Sequence, residues 1–164
     1  MTIFQFDENI DYKAYIKRCN QEGFAVVKRF PKDLKNTGFP DPEVLKRCLL
    51  LGGVLVTLDH HMIDDHEPDV PEKSPGIIII QHSPKIPYTM TQKSAEKIIE
   101  QFKKRISDWH KLSYANSIVR ITDESITVGR KKENVVTYNC YKELSEQDCE
   151  DEIRQRLNDN AADN

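Results

Sequence analysis

Short blocks of apolar and β-branched residues recur along the chain and are separated by polar segments. Each block has the length and the composition of a β-strand rather than of a helix. The block at residues 77–80 is an unbroken run of isoleucine, which is typical of a strand covered on both faces. This pattern predicts strands at residues 3–6, 24–28, 54–58 and 77–80.

The segments between these blocks have the periodicity of amphipathic helices, because apolar side chains return every three or four positions. Asp41 followed by Pro42 is a typical helix start, with an acidic N-cap and proline at the first helical position. Trp109 falls on the apolar stripe of the last segment, which predicts that its ring is part of the core. The pattern predicts helices at residues 11–19, 41–51 and 90–112.

Residues 117–121 and 125–128 alternate around a polar centre and predict a β-hairpin. Strands that alternate with helices predict a three-layer α/β/α sandwich with a mainly parallel central sheet, to which this C-terminal β-hairpin is added. The predicted domain spans residues 1–132, and residues 133–164 are predicted to be an acidic, partly disordered tail, in which residues 149–157 could hold a short helix.

The charge is unevenly distributed along the chain. Three basic and eight acidic residues lie from Lys142 onward, whereas the preceding part has 21 basic and 19 acidic residues. A mean hydropathy of −0.64 and the lack of a long uncharged apolar run predict no membrane span. The first ten residues lack the pattern of a secretory signal, and the cysteines form no CxxC pair. These features predict a cytoplasmic protein with reduced thiols.

Carboxylates directly follow two of the predicted strands, since Asp7 comes after residues 3–6 and Asp59 after Leu58. Open parallel α/β sheets bind ligands at the carboxyl ends of their strands, where the strand order reverses. If the two strands are neighbours, both carboxylates can reach one Mg²⁺ or Mn²⁺. The sequence therefore predicts a metal-dependent site that cleaves phosphodiesters.

Several motifs in sequence order resemble the compact PIN-like nuclease branch often found beside toxin–antitoxin genes. They are FDEN, DPEVL, GGVLVTLDHH, PGIIII and SIVRITDESITV, and together they cover residues 3–130. The resemblance implies a PIN-like sheet with adjacent first and third strands. It also implies a Mg²⁺- or Mn²⁺-dependent ribonuclease that is the toxin of a toxin–antitoxin pair. RNA would be its substrate, a small antitoxin its protein partner, and a homodimer its oligomeric state.

The resemblance also implies which residues form the site. Asp7, Asp41 and Asp59 would be catalytic and would bind the metal. The family has a second acid after VTxD, where this chain has His61. Alternation along the strand would place His61 beside Asp59 as a fourth ligand, and imidazole favours Mn²⁺ over Mg²⁺. A long loop predicted over residues 60–75 could close over the site as a lid. Secondary candidates are Glu8, Asn9, Asp64 and Asp65.

Two groups of basic residues are weaker candidates for contacts with RNA phosphates, because a solvated helix face and a hairpin end explain them better. They are Lys103, Lys104, Arg105, Arg130, Lys131 and Lys132.

Other interpretations stay open. Asp41 fits a helix N-cap whatever the function, and loss of the fourth acid would leave a degenerate PIN-like scaffold that binds protein or RNA without cleaving. Residues 59–61 also resemble the Asp-His-His motif of the DHH phosphoesterases. That family has an earlier His-x-Asp-x-Asp motif, which FDEN does not supply.

Overall fold

The computed structural model describes residues 2–7, 27–29, 41–50, 52–80, 108–122, 124–130, 134–139 and 145–163. The helix predicted at residues 11–19 and most of the helix predicted at 90–112 lie outside the described residues.

The described residues form a seven-stranded mixed sheet. Its strands, in spatial order, are β2 (Val27–Arg29), β1 (Phe4–Phe6), β3 (Val54–Thr57), β4 (Ile77–Ile80), β5 (Ile118–Ile121), β6 (Ser125–Val128) and β7 (Val136–Asn139). Neighbouring strands run parallel from β2 through β5 and antiparallel from β5 to β7. The predicted strand positions and the predicted hairpin are confirmed, with ends that differ by a few residues.

Helices within the described part are α1 (Asp41–Leu50), α2 (His60–His66) and α3 (Glu146–Ala162). α1 confirms the helix predicted from Asp41. α2 lies where the sequence predicted a loop, and a 3-10 turn at Glu67–Asp69 follows it. A second 3-10 turn, Trp109–Lys111, stands near the end of the long helix predicted at residues 90–112.

One face of the sheet is covered by α1 and α2. Leu45 of α1 and Ile63 of α2 are fully buried there together with Leu55 of β3. The same cluster contains Ile77, Ile79, Ile118 and Val70. α1 and α2 are thereby anchored to the strands beside which they lie, through apolar burial of about 2 kcal/mol per large side chain.

The opposite face of the sheet buries an aromatic cluster. Phe4 of β1 packs against Trp109 with ring centroids 4.8 Å apart and against Tyr114 at 6.0 Å. The Tyr114 hydroxyl donates a hydrogen bond to the Trp109 carbonyl at 2.8 Å. Burial raises the pKa of Tyr114 well above its usual value. The prediction that Trp109 belongs to the core is confirmed.

The segment that the sequence assigned to an acidic tail contributes β7 and α3 to this face. Cys149, Ile153 and Leu157 recur every four residues along α3 and are all buried in the same cluster as Trp109. Ser145 begins the helix by accepting a hydrogen bond from the Asp148 amide at 3.1 Å. The boundary at residue 132 stays a prediction, but the chain beyond it is part of the packed core.

The predicted fold class, a three-layer α/β/α sandwich with a mainly parallel sheet, is wrong. The sheet is mixed, because β6 and β7 continue it in antiparallel orientation. Of the described helices, α1 and α2 are short, and α3 packs mainly against β6 and β7. The polar composition after residue 132 concealed both the last strand and α3, since only one face of α3 is apolar.

Among the described residues, no helix combines the length and the apolar composition that crossing a membrane requires.

The turn that precedes β4 requires glycine at position 76. Gly76 has a φ of +112°, and a Cβ atom there would overlap the Tyr114 carbonyl oxygen. We expect Gly76→Ala to lower the free energy of unfolding by about 3 kcal/mol or more, because neither the backbone nor Tyr114 can move freely.

Gly52→Ala is the matched control for this prediction. Gly52 also has a positive φ, +72°, but a Cβ atom there meets nothing within 4 Å. We expect a loss of only about 1 to 2 kcal/mol, the cost of the left-handed backbone alone. Urea unfolding of both variants measures the difference, and equal losses would contradict the proposed overlap with Tyr114.

Candidate active site at the carboxyl ends of β1 and β3

β1 and β3 are neighbouring parallel strands, paired with Phe4 opposite Val54 and Phe6 opposite Val56. The chain leaves β1 toward β2 on one side and returns to β3 on the other, so the strand order reverses here. Asp7 follows β1, and its amide donates to the Val56 carbonyl at 3.0 Å. The prediction that the strands leading to Asp7 and Asp59 are neighbours is confirmed, and both residues follow strand ends at the switch point.

A single buried hydroxyl links these two acidic residues. Thr57, the last residue of β3, is completely buried, and its Oγ1 donates a hydrogen bond to Oδ2 of Asp7 at 2.7 Å. Oγ1 of Thr57 also accepts a hydrogen bond from the backbone amide of Asp59 at 3.0 Å. Asp7 is only 5% exposed, so its carboxylate has few water molecules to bind. The hydroxyl of Thr57 replaces one of them as a hydrogen-bond donor.

Asp59 also begins α2. Its Oδ1 accepts a hydrogen bond from the amide of His61 at 3.0 Å, which is the contact of a helix N-cap. The backbone amide of Asp59 is therefore held by Thr57, and one oxygen of its carboxylate is held by the first turn of α2. Asp59 has a structural role whatever else it binds.

His61 lies exposed in the first turn of α2. The expectation that it continues the strand on the side of Asp59 is wrong, because β3 ends at Thr57 and a helix begins at His60. His61 remains next to the site, because its backbone amide donates a hydrogen bond to Oδ1 of Asp59. Its assignment as a metal ligand stays a prediction.

The segment predicted as a lid is packed against the sheet. Ile63 of α2 and Val70, which follows the 3-10 turn, are buried within the apolar cluster on this face, so both ends of this segment are anchored in the core. Asp64 links α2 to β5, because its Oδ1 accepts a hydrogen bond from Nη2 of Arg120 at 2.9 Å. Asp65, the other secondary candidate on this helix, is exposed.

Arg130, a candidate contact for RNA, holds the segment after α2 in place. Its Nη1 donates to the Glu72 carbonyl at 2.8 Å, and its Nη2 donates to the Val70 carbonyl. Burial lowers the pKa of Arg130, and the nearby Glu67 and Glu72 partly offset this effect. A role in RNA binding stays a prediction, now beside an evident structural role.

The remaining predicted residues are not placed. Asp41 is the first residue of α1, but its side chain lies outside the described part of the structure. The same holds for the whole of Glu8, Asn9, Lys103, Lys104, Arg105, Lys131 and Lys132.

The described side chains provide two adjacent acidic residues and no larger metal-binding cluster. Within the part of the chain that the structure describes, no three His, Cys, Asp or Glu residues are grouped so that they could hold a metal ion. Mg²⁺ keeps several water ligands and is commonly held by one or two carboxylates. Asp7 and Asp59 therefore fit the predicted metal in the type and the minimum number of donors.

No protein-family model matches the chain, and no curated protein and no solved structure matches it either.

Sequence reasoning missed two residues near this site, Thr57 and Arg120. Thr57 carried a signal, because a polar β-branched residue stands two positions before Asp59 at the end of an apolar strand. Arg120 is the only charged residue of β5, whose other members are Ile118, Val119 and Ile121. A charge inside such a strand needs a partner or a function, and the sequence cannot identify which.

Thr57→Val tests the importance of the buried hydroxyl. Valine has nearly the same shape, but it leaves Oδ2 of Asp7 and the amide of Asp59 without their Thr57 partner. We expect a loss of about 2 kcal/mol in the free energy of unfolding.

Thr57→Ser is the matched control, because it keeps the hydroxyl and removes only a methyl group. We expect a loss of about 1 kcal/mol. Urea unfolding near neutral pH compares the variants. If valine proved as stable as serine, the hydroxyl would contribute nothing to the strand end.

Proposed function

We propose that this protein is a divalent-metal-dependent ribonuclease with Asp7 and Asp59 at its centre. The observation that carries the proposal is that these acids follow adjacent parallel strands at the switch point of the sheet, where the Thr57 hydroxyl bonds to the carboxylate of Asp7 and to the backbone amide of Asp59. This is where open α/β sheets bind ligands. The resemblance to PIN-like nucleases adds RNA as the substrate and a toxin role with a small antitoxin partner.

Mg²⁺ or Mn²⁺ bound by these carboxylates would lower the pKa of a coordinated water and screen the charge of the scissile phosphate. The chain itself contributes preorganisation. Thr57 fixes one oxygen of Asp7, and the first turn of α2 fixes one oxygen of Asp59. Side chains that are oriented before the substrate arrives need no reordering during the reaction.

A second function, RNA or protein binding without cleavage, is favoured by a different observation. Asp59 caps α2 and Asp64 pairs with Arg120, so two acids near the site already have structural partners. The described residues also provide no third ligand. A degenerate scaffold would use the same strand ends as a binding surface.

Asn variants separate catalysis from folding. The Asn side-chain oxygen can accept the bonds from Thr57 and from the His61 amide, so Asp7→Asn and Asp59→Asn remove charge while the described contacts remain. We expect each variant to lower Mn²⁺-dependent RNA cleavage by about 100-fold or more. Stability without metal should stay within about 1 kcal/mol of the original protein.

Mn²⁺ should raise the melting temperature of the original protein and not that of either variant, because binding to the folded state stabilises it. Asp151→Asn is the control, since it removes the same charge from an exposed position of α3, which packs on the opposite face of the sheet. It should retain both responses. An original protein that neither cleaves RNA nor responds to Mn²⁺ would favour the binding module.

His61 tests the choice of metal. A histidine ligand in place of a carboxylate weakens Mg²⁺ more than Mn²⁺, so cleavage should be faster with Mn²⁺. His61→Asp should restore cleavage with Mg²⁺. The new acid lies in the first turn of α2 and should stabilise that helix by about 0.5 kcal/mol, so unfolding cannot mask the gain. Equal activity of the original protein with both metals would place His61 outside the coordination sphere.

A further inference from the structure

Thr57, Ile79 and Arg120 lie in one row across three parallel strands. Thr57 of β3 is opposite Ile79 of β4, and Ile79 is opposite Arg120 of β5. Neighbouring strands are about 4.8 Å apart, so the backbones of Thr57 and Arg120 are separated by about 10 Å. Arg120 therefore lies along the same edge of the sheet as the two acids that Thr57 joins.

Thr57 and Arg120 also project from the same face of the sheet. Side chains alternate along a strand, which places Thr57 with Leu55 and Arg120 with Ile118. Leu55 and Ile118 belong to one buried cluster, the cluster that α1 and α2 cover. The Arg120 guanidinium is thus on the α2 side, where Asp59 begins that helix.

The guanidinium of Arg120 has donors to spare. Its Nη2 bonds to Asp64, and no described residue accepts a bond from its Nη1 or Nε. The Arg120 side chain is 21% exposed, whereas that of Asp64 is 51% exposed. The pair is accordingly open to solvent on the Asp64 side. A planar guanidinium can bind a phosphate through two parallel hydrogen bonds, which a single carboxylate contact does not exhaust.

We propose that Arg120 binds a phosphate of the RNA backbone adjacent to the one cleaved, and that Asp64 holds the guanidinium in place until RNA arrives. This inference rests on the proposed function for the identity of the substrate. It assigns to Arg120 the binding of the substrate, and to Asp64 a competing negative charge that the RNA must displace.

A purely structural ion pair makes a different prediction for the RNA affinity of both variants. If the pair only anchors α2 to β5, loss of either partner lowers stability and leaves RNA affinity unchanged. If Arg120 binds phosphate, Arg120→Gln weakens RNA binding, whereas Asp64→Asn strengthens it by removing the competitor. The opposite signs distinguish the two roles.

The experiment measures the fluorescence anisotropy of a labelled single-stranded oligoribonucleotide with the full chain in EDTA, over a range of salt concentrations. Arg120→Gln should weaken binding by about 10-fold and reduce the slope of log K against log salt by about 0.7, the loss of one phosphate contact. Asp64→Asn should tighten binding several-fold. Lys111→Gln and Asp151→Asn, at exposed positions outside the row, control for the same charge changes.

Arg120→Lys provides a second variant in case glutamine disturbs the fold. Lysine keeps the positive charge but cannot form two parallel hydrogen bonds with a phosphate. The RNA affinity of Arg120→Lys should therefore lie between those of the original protein and Arg120→Gln, with an unchanged salt slope. The inference is overturned if Arg120→Gln binds like Lys111→Gln, if Asp64→Asn binds more weakly, or if the original protein binds no RNA. Arg120-dependent binding without any cleavage in Mg²⁺ or Mn²⁺ would support phosphate binding by Arg120 and overturn only the proposed cleavage.

Discussion

The buried hydroxyl of Thr57 joins the two strand ends on which the proposed site depends. Asp7 is buried, and a buried carboxylate is stable only with hydrogen-bond donors around it. Thr57 supplies one such donor and, with the same oxygen, accepts the amide that leads into α2. The position of Asp7, the end of β3 and the start of α2 are thereby coupled through one side chain.

The parallel and the antiparallel halves of the sheet contribute different parts of the structure. The parallel half, from β2 to β5, places acids and Arg120 along one edge. The antiparallel half packs against α3, which is further attached through the bond from Asn160 to Ser117 at 3.0 Å and from Arg156 to the Asn134 carbonyl at 3.0 Å. The segment predicted to be a tail therefore supports the fold, whereas the candidate site combines Asp7 with residues 57–59.

Charged residues near the site have two roles each. Asp59 is both a helix cap and a candidate ligand, and Asp64 is both an ion-pair partner and a competitor for phosphate. Such residues respond differently to isosteric and to charge-changing substitutions. Asn at position 59 can keep the cap and remove the charge, and Asn at position 64 can keep a hydrogen bond from Arg120 and remove the charge that competes with phosphate. This difference makes catalysis, binding and stability separable by experiment.

Strand positions and the candidate acids could be predicted from sequence, because apolar runs such as residues 77–80 and an acid directly after a strand are local patterns. The helix α2 could not be predicted from sequence, because it is stabilised by the burial of Ile63 against the sheet, and that contact exists only in the folded chain. The same holds for α3, whose three buried residues are hidden in an acidic segment. Local sequence specified which residues can pair or bind.

Strand order and register decided what those residues meet. The sequence places Asp7 and Asp59 after strands, but only the parallel pairing of β1 with β3 brings Thr57 between them. Arg120 reaches the same edge only because β5 pairs with β4 in a register that aligns it with Ile79. Contacts between residues 50 or more positions apart depend on the packing of the whole chain, which no local pattern encodes.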